Sequence, residues 1–373
     1  MEFLHRTWAE ISKSAIIHNF KEIKSRAGKA QIIAVVKADA YGHSDKIVAP
    51  ILENSGADGF AVSNIEEALS LRTQGIKKPV LILGYTPVNC VQTLADNNIS
   101  QCVYSLEYAK LLSEYANASQ VNLNIHLKLD TGMSRIGFDL RKDTEGIKEA
   151  IKAAKLPCFN VEGVFTHFAA ADSEDNKNIS FTEGQYNRFS AGVEALRREG
   201  VNPQIVHCDN SAALCRGKYT LDAVRPGIIL YGLSPDRAFD TNLNLKPVMS
   251  VKSVVSLVKT IKKGDTVSYG MTYKAEKDMK IATVAAGYAD GYPRNLSNKG
   301  EVLIHGKRAK IIGRICMDQF MADVSNIDKV AIGDEVTLFG AGLSVDEIAE
   351  KCDTINYEIV CGIAPRVPRV PVE

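Results

Sequence analysis

Several polar residues stand directly against short apolar, β-branched runs. Lys37 closes Ala34-Val35-Val36 and opens Ala38-Asp39-Ala40-Tyr41-Gly42-His43. Lys128 ends the run from Leu123 and leads into Leu129-Asp130-Thr131-Gly132-Met133-Ser134-Arg135. His167 follows Val161–Phe165; Asp209, Asn210 and Ser211 follow Ile205–His207; Arg225-Pro226-Gly227 precedes Ile228–Tyr231. A lysine abutting a buried strand is costly unless it is paired or modified. Singly, such a lysine more often snorkels to the surface. Two lysines, two arginines, a histidine and an Asn-Ser pair gathered at one end of a sheet suit an anionic small molecule. Ser211 and the Gly227-Ile228 backbone adjoin the last two runs, where barrel enzymes bind phosphate, and glycine lets backbone N–H donors approach phosphate oxygens closely.

The elements that would position these groups are read from pattern. Eight runs have the length and composition of buried parallel strands: Ile32–Val36, Gly59–Val62, Val80–Leu83, Gln101–Tyr104, Leu123–Leu127, Val161–Phe165, Ile205–His207 and Ile228–Tyr231. Helix-like segments separate most of them. Asn64 caps one, with Glu66 and Glu67 in its first turn and Gly75 as its stop. The alternation predicts an α/β fold, a (β/α)8 TIM-type barrel over residues 10–235, with a doubly wound sheet as the alternative. Beyond Pro235, strands at Val251–Ile261, Thr266–Tyr269, Lys280–Ala285, Glu301–His305, Ala309–Ile312 and Glu335–Phe339 are broken by Lys-Gly-Asp, His-Gly-Lys and Ile-Gly-Asp turns. They predict a mainly β domain over residues 236–373.

The 373 residues exceed one typical domain and can bury a core without disulfides or structural metals. A net charge of +1 gives no footprint for nucleic acid or an anionic membrane. None of the eight cysteines forms a C-x-x-C pair, so reduced thiols and no metal site are expected. The N-terminal segment is too polar for a signal peptide, and no run approaches a bilayer-spanning length. A cytoplasmic location is the expectation.

Longer signatures carry a resemblance. Ala34–His43, Lys128–Met133, Asn210-Ser211-Ala212, Arg225–Ile228, Val267–Gly270, Gly287–Gly291 and Gly313–Gln319 resemble, in order, the signatures of pyridoxal-phosphate-dependent alanine racemases. The resemblance implies interconversion of L- and D-alanine, feeding peptidoglycan synthesis, in a homodimer whose β domain, joined by residues 1–9, reaches the partner's site. It implies that Lys37 binds pyridoxal 5′-phosphate as a Schiff base and that Tyr269, from the partner, is the second catalytic base. Tyr41, Ser211, the Gly227-Ile228 backbone and Tyr357 would hold the phosphate, with Asn210 beside them. Arg225 would face the pyridine nitrogen, and His167 would bridge Arg225 to the tyrosine. Arg135 would contact the cofactor's phenolic oxygen beside Lys128, which is similar to a lysine often carbamylated in the family. Tyr288, Met317 and Asp318 would line the substrate entrance and carboxylate site. Ser44 and Ser134 stand where the family commonly has glycine, and the Arg369-Val370-Pro371 end departs from its pattern. Serine as the substrate, a fold-related amino-acid decarboxylase and a non-catalytic cofactor-binding protein are the alternatives. Arg225 weighs against the decarboxylase, because those enzymes usually place a carboxylate at the pyridine nitrogen.

Overall fold

The computed structural model describes residues 6–142 and 144–373. They form two compact units, one of Ile16–Ala40 and Asp45–Lys246, the other of the described residues up to Ala15 with Tyr41–Ser44 and Pro247–Glu373.

In the first unit the strands Gln31–Val35, Gly59–Val62, Val80–Ile82, Ile99–Val103, Leu123–Asp130, Phe159–Phe165, Ile205–His207 and Ala223–Val224 pair in parallel, each with the next. Ala223–Val224 pairs back onto Gln31–Val35, which closes the ring and rules out the doubly wound sheet. Ile, Val, Leu and Ala fill these short strands, and most are fully buried, as strands covered on both faces require. Helices such as Leu106–Ala118 and Asn176–Arg198 connect them. The helix Ile65–Thr73 begins as expected: Asn64 Oδ1 accepts the Glu67 N–H at 2.9 Å.

One strand was misplaced in the sequence reading. Ile228–Tyr231 is a 3-10 turn, and the eighth strand is the two-residue Ala223–Val224. An apolar run of four suits a buried turn as well as a strand. The shift matters, because Arg225 now follows the eighth strand, at the end where barrels carry their chemistry.

The second unit is mainly β. Its sheet runs Met279–Val284, Phe320–Asp323, Lys307–Ile312, Glu301–Ile304, Glu335–Phe339, Met249–Ile261, Thr7–Ser12, Arg369–Val372. Met249–Ile261 also pairs with Met279–Val284, so six of these strands close on themselves, which removes their edges. The divergent C-terminus is ordered into this sheet: Arg369–Val372 lies parallel to Thr7–Ser12. Arg369 is anchored on the Ile363, Ala364, Val367 and Gly42 carbonyls.

Candidate active site

Lys37 leaves the first barrel strand at an unusual turn. Ala38, Asp39, Ala40 and Tyr41 all have φ between 52° and 54°, a left-handed turn built without glycine. Such a conformation costs roughly 1–2 kcal/mol per residue and persists only where its surroundings enforce it. Here Glu67 Oε1 accepts the Ala38 N–H at 2.7 Å, and Asp39 Oδ1 accepts the Asp45 N–H at 2.8 Å. Glu67 also holds Ser63 through its other oxygen. The sequence reading took Glu67 only as a first-turn helix carboxylate; its signal as a brace for the lysine turn is tertiary.

Lys128 emerges from the fifth strand, 3 % exposed, with its Nζ 5.0 Å from the centre of the Phe165 ring. Burial and the charges of Arg225 and Arg135, against the opposing pull of Cys102, bring its pKa down to about 8. The following loop is pinned by Asp130, whose Oδ1 accepts the Gly132 and Ser134 N–H groups, and it leaves Arg135 exposed. His167 is held well below the ordinary imidazole range by burial and by the charges of Lys128, Arg225, Arg135 and Lys37. The lysines, arginines and histidine thus gather at one barrel mouth.

Arg225 is 4 % exposed. Its Nη1 donates to His207 Nδ1 at 2.8 Å, and its Nη2 to the Thr166 and Cys208 carbonyls at 2.7 and 3.1 Å. Phe165 stacks on His207 and lies 5.2 Å from the guanidinium carbon, so one ring supports both Arg225 and Lys128. No acceptor among the described residues meets the Arg225 Nε–H. His207, not His167, is the histidine bonded to Arg225. Reading His207 as the last residue of a strand concealed it, although a histidine on an otherwise apolar strand was a usable signal. Beside it, Ser211 Oγ accepts the Gly227 N–H at 2.9 Å, which ties the seventh and eighth strand ends together. Asn210 caps the helix Ser211–Arg216 through Ala213 N–H.

The second unit carries the other predicted residues. Tyr41 is buried, which pushes its phenol up, and its ring lies 5.9 Å from that of Tyr357. Tyr269 sits on the turn between the short strands Thr266–Val267 and Tyr273–Lys274, and is 69 % exposed. Ser268, Gly270 and Met271 around it have positive φ. Ser268 Oγ donates to the Arg314 carbonyl, while Tyr288 N–H and Ala289 N–H donate to the Cys316 and Met317 carbonyls. Tyr269, Tyr288 and Met317 therefore ride on loops tied to one strand-free segment, all three side chains exposed. Asp318 is bonded to Arg366 at 2.7 Å. The neighbouring Asp290 is buried, which alone would raise its pKa, but Arg6 and Arg366 hold it below the usual carboxylate range.

A closed barrel with a cation-rich mouth, followed by a β unit carrying an exposed tyrosine turn, defines a two-unit barrel enzyme for a small anionic ligand. The comparisons narrow the class. The family models for the alanine racemase N-terminal and C-terminal domains match residues 11–235 and 248–371. An alanine racemase of Clostridium tetani is 45% identical over 98% of this chain and 95% of its own. The solved alanine racemase of Clostridium difficile 630 superposes with a TM-score of 0.94 at 39% identity, covering 100% of this chain and 97% of that one. That of Bacillus anthracis, solved with bound L-Ala-P, has a TM-score of 0.92 at 39% identity over 100% and 96%. The chain belongs to the alanine racemase family, and its activity is the racemisation of alanine.

Proposed function

We propose that the chain racemises alanine with pyridoxal 5′-phosphate held on Lys37, using two bases on opposite faces of the substrate, Lys37 and Tyr269 of the partner subunit in a homodimer. The observation that carries this reading is the setting of Arg225. Its three bonds end on a histidine nitrogen and two carbonyls, and among the described residues no carboxylate bonds it and no acceptor takes its Nε–H. A guanidinium has no acceptor, so it can offer a pyridine nitrogen a hydrogen bond but does not readily give it a proton.

The rest of the donor set fits the same group. Lys37 supplies a primary amine for an aldehyde; Ser211, whose oxygen accepts the Gly227 N–H, keeps its hydroxyl hydrogen for a phosphate, and the Gly227-Ile228 backbone is assigned to the same group. Asn210, Tyr41 and Tyr357 are assigned to cofactor binding with them. When bound, the cofactor withdraws electrons from the substrate's Cα and so stabilises negative charge there. Lys37 Nζ then takes or returns the Cα proton on one face, and the Tyr269 hydroxyl does so on the other. A phenol with an ordinary pKa of ~10 is a weak base at neutral pH. His167, kept neutral by burial among four cations, is assigned to relay charge toward the tyrosine. Arg135, Tyr288, Met317 and Asp318 are assigned to the substrate.

Lys128 belongs to the same proposal. With its pKa brought to about 8, about a tenth is the free amine at pH 7, far more than for an ordinary lysine. That amine can add to CO2, losing a proton to form a carbamate anion that would neutralise Arg135. A new carbonyl resonance on exposure to 13C-labelled CO2, absent from Lys128→Met, checks this. The exposed Tyr269, Met271, Tyr288 and Met317 side chains support pairing with a second copy. The conversion is placed in the cytoplasm, supplying D-alanine for peptidoglycan; no helix among the described residues is long and apolar enough to cross a membrane.

The test of the whole reading is incubation of the cofactor-loaded protein with L-alanine in D2O. D-alanine carrying deuterium at Cα, lost in Lys37→Ala, is expected. Release of CO2 without chiral inversion would sink the proposal.

A further inference from the structure

Three hydrogen bonds, two buried and the last part-buried, lead away from Arg225 toward the opposite end of the barrel. Arg225 Nη1 meets His207 Nδ1 at 2.8 Å, His207 Nε2 meets His126 Nδ1 at 2.9 Å, and His126 Nε2 meets Glu162 Oε2 at 3.2 Å. Ser100 Oγ donates to the same Glu162 oxygen at 2.5 Å. The links come from the end of the eighth strand and from the seventh, fifth, sixth and fourth strands. His207 is 0 % exposed and His126 3 %, whereas the Glu162 side chain is 23 % exposed. Glu162, His126 and Ser100 line a small cavity with Gln31, Gly59 and Val80. These last residues stand at or near the N-terminal ends of their strands, so the cavity lies on the barrel floor.

Chemistry gives this chain one direction. Arg225 can only donate, so His207 Nδ1 must accept and the His207 proton must sit on Nε2. His126 Nδ1 must then accept, and its proton sits on Nε2 pointing at Glu162. Each ring is thereby confined to one tautomer, from a carboxylate at one end to a guanidinium at the other.

The backbone is shaped for the arrangement. The pairing of the fifth and sixth strands runs Ile125↔Val161 and then His126↔Gly163, which leaves Glu162 as an extra, bulged residue. Bulges re-aim side chains beside functional sites. Gly163 faces the histidine: a Cβ there would lie 2.4 Å from His126 Cε1 and Nδ1, so any side chain would evict the ring.

We propose that Glu162, acting through His126 and His207, is a positioning residue that fixes the Arg225 guanidinium in the orientation leaving its Nε–H free for the cofactor's pyridine nitrogen. The inference rests on the reading of Arg225 given above. The charges are consistent with it. The bond to His126 holds the Glu162 carboxyl below the usual carboxylate range, so its charge is present at neutral pH. Burial, with Arg225 alongside, keeps His207 well below the ordinary imidazole range and therefore neutral. The other groups facing the chain are Lys128 and Cys102, whose thiol burial pushes up to about 12, and Asp209, which burial raises. Asp209 is bonded to Thr220 and makes no hydrogen bond to the guanidinium.

The test begins with the apo protein, 15N-labelled at histidine. Nitrogen chemical shifts should show His207 and His126 as neutral Nε2–H tautomers; a proton on His207 Nδ1 would overturn the assignment. In Glu162→Leu, His126 should keep the Nε2–H tautomer that Arg225 dictates through His207, but its Nε2 resonance should shift as the carboxylate acceptor is lost. The loaded Glu162→Leu enzyme should lose about tenfold in kcat, as when an outer partner of a functional group is removed, with KM nearly unchanged and the cofactor absorption spectrum shifted. Glu162→Gln, nearly isosteric, keeps an acceptor and should lie between Glu162→Leu and wild type. Glu162→Asp should recover most of the activity and the spectrum. If Arg225→Lys alters the spectrum but Glu162→Leu and Glu162→Gln match wild type in spectrum and kcat, the inference fails alone. If Arg225→Lys leaves the spectrum untouched, the Arg225 reading fails and takes the inference with it.

Discussion

The barrel and the β unit carry their functional groups in opposite ways. In the barrel, Arg225 and Lys128 are nearly sealed from water, and the Arg225 bonds are made within the unit. In the β unit, Tyr269, Tyr288 and Met317 are open to solvent, on loops fixed by backbone bonds and by Ser268. The barrel half is built in advance: low-dielectric surroundings strengthen its electrostatics, and its groups need little reorganisation during reaction. The β half presents side chains with nothing yet packed on them. One half is specified by its own chain, and the proposed second copy would complete the other.

Removing one base from each half measures that difference. Lys37→Ala should lower racemisation by roughly 10⁴-fold, the upper end for loss of a general base, with proton exchange lost from both faces, because the lysine also holds the cofactor. Tyr269→Phe should cost on the order of 10²–10³-fold yet leave Cα exchange of one enantiomer measurable by NMR in D2O. Equal loss of exchange from both enantiomers in Tyr269→Phe would erase the distinction between the halves. Because Tyr269 is assigned to the partner, mixing Lys37→Ala with Tyr269→Phe subunits should restore one intact site per heterodimer and part of the activity.

Legibility in the sequence follows the same division. The barrel was readable because short, saturated apolar runs announce strands buried on both faces, and Lys37, Lys128 and Arg225 interrupt or bound them. The eighth strand escaped because two residues, Ala223-Val224, carry no periodicity, while the buried turn Ile228–Tyr231 imitates a strand. His207, His126 and Glu162 escaped because their meaning depends on a register shift between strands 36 residues apart, which no local pattern encodes. Glu67 escaped for a similar reason: an ordinary helix-start carboxylate became the brace of the Lys37 turn. Tyr269 was found only through family signatures, since an aromatic in a β hairpin has no intrinsic catalytic mark.

The barrel's sealed cations carry a stability cost that the exposed half avoids. Lys128 has its pKa lowered from the ordinary 10.5 to about 8. Below about 8 it is charged in both folded and unfolded chains, so the burial penalty stands in full. Between about 8 and 10.5 only the unfolded chain binds the proton, and stability rises with pH. Lys128→Met should therefore stabilise the apo protein in CO2-free buffer by roughly 2–3 kcal/mol at pH 7, and by less at pH 10. Denaturant midpoints at the two pH values read the difference. A gain that grew with pH would reverse the sign and refute the burial argument.

The smallest contrast lies in two serines that occupy left-handed backbone, one in each unit. Ser44 has φ 72° and Ser134 φ 58°. Serine is small, so in place of glycine it adds little volume. The backbone shows why glycine suits the positions: left-handed geometry brings Cβ against the following carbonyl, costing roughly 1–2 kcal/mol, partly offset by the entropy glycine adds to the unfolded chain. Ser44→Gly should gain about 0.5–1 kcal/mol, because the Ser44 hydroxyl makes no hydrogen bond among the described residues. Ser134 Oγ instead accepts Arg141 Nη1 at 2.5 Å, on an arginine that also grips Asp139. Ser134→Gly gives up that bond, so its gain should be smaller, near zero. Thermal midpoints of the two single variants decide the matter: equal gains would mean that the Arg141 contact contributes nothing to holding the loop that carries Arg135.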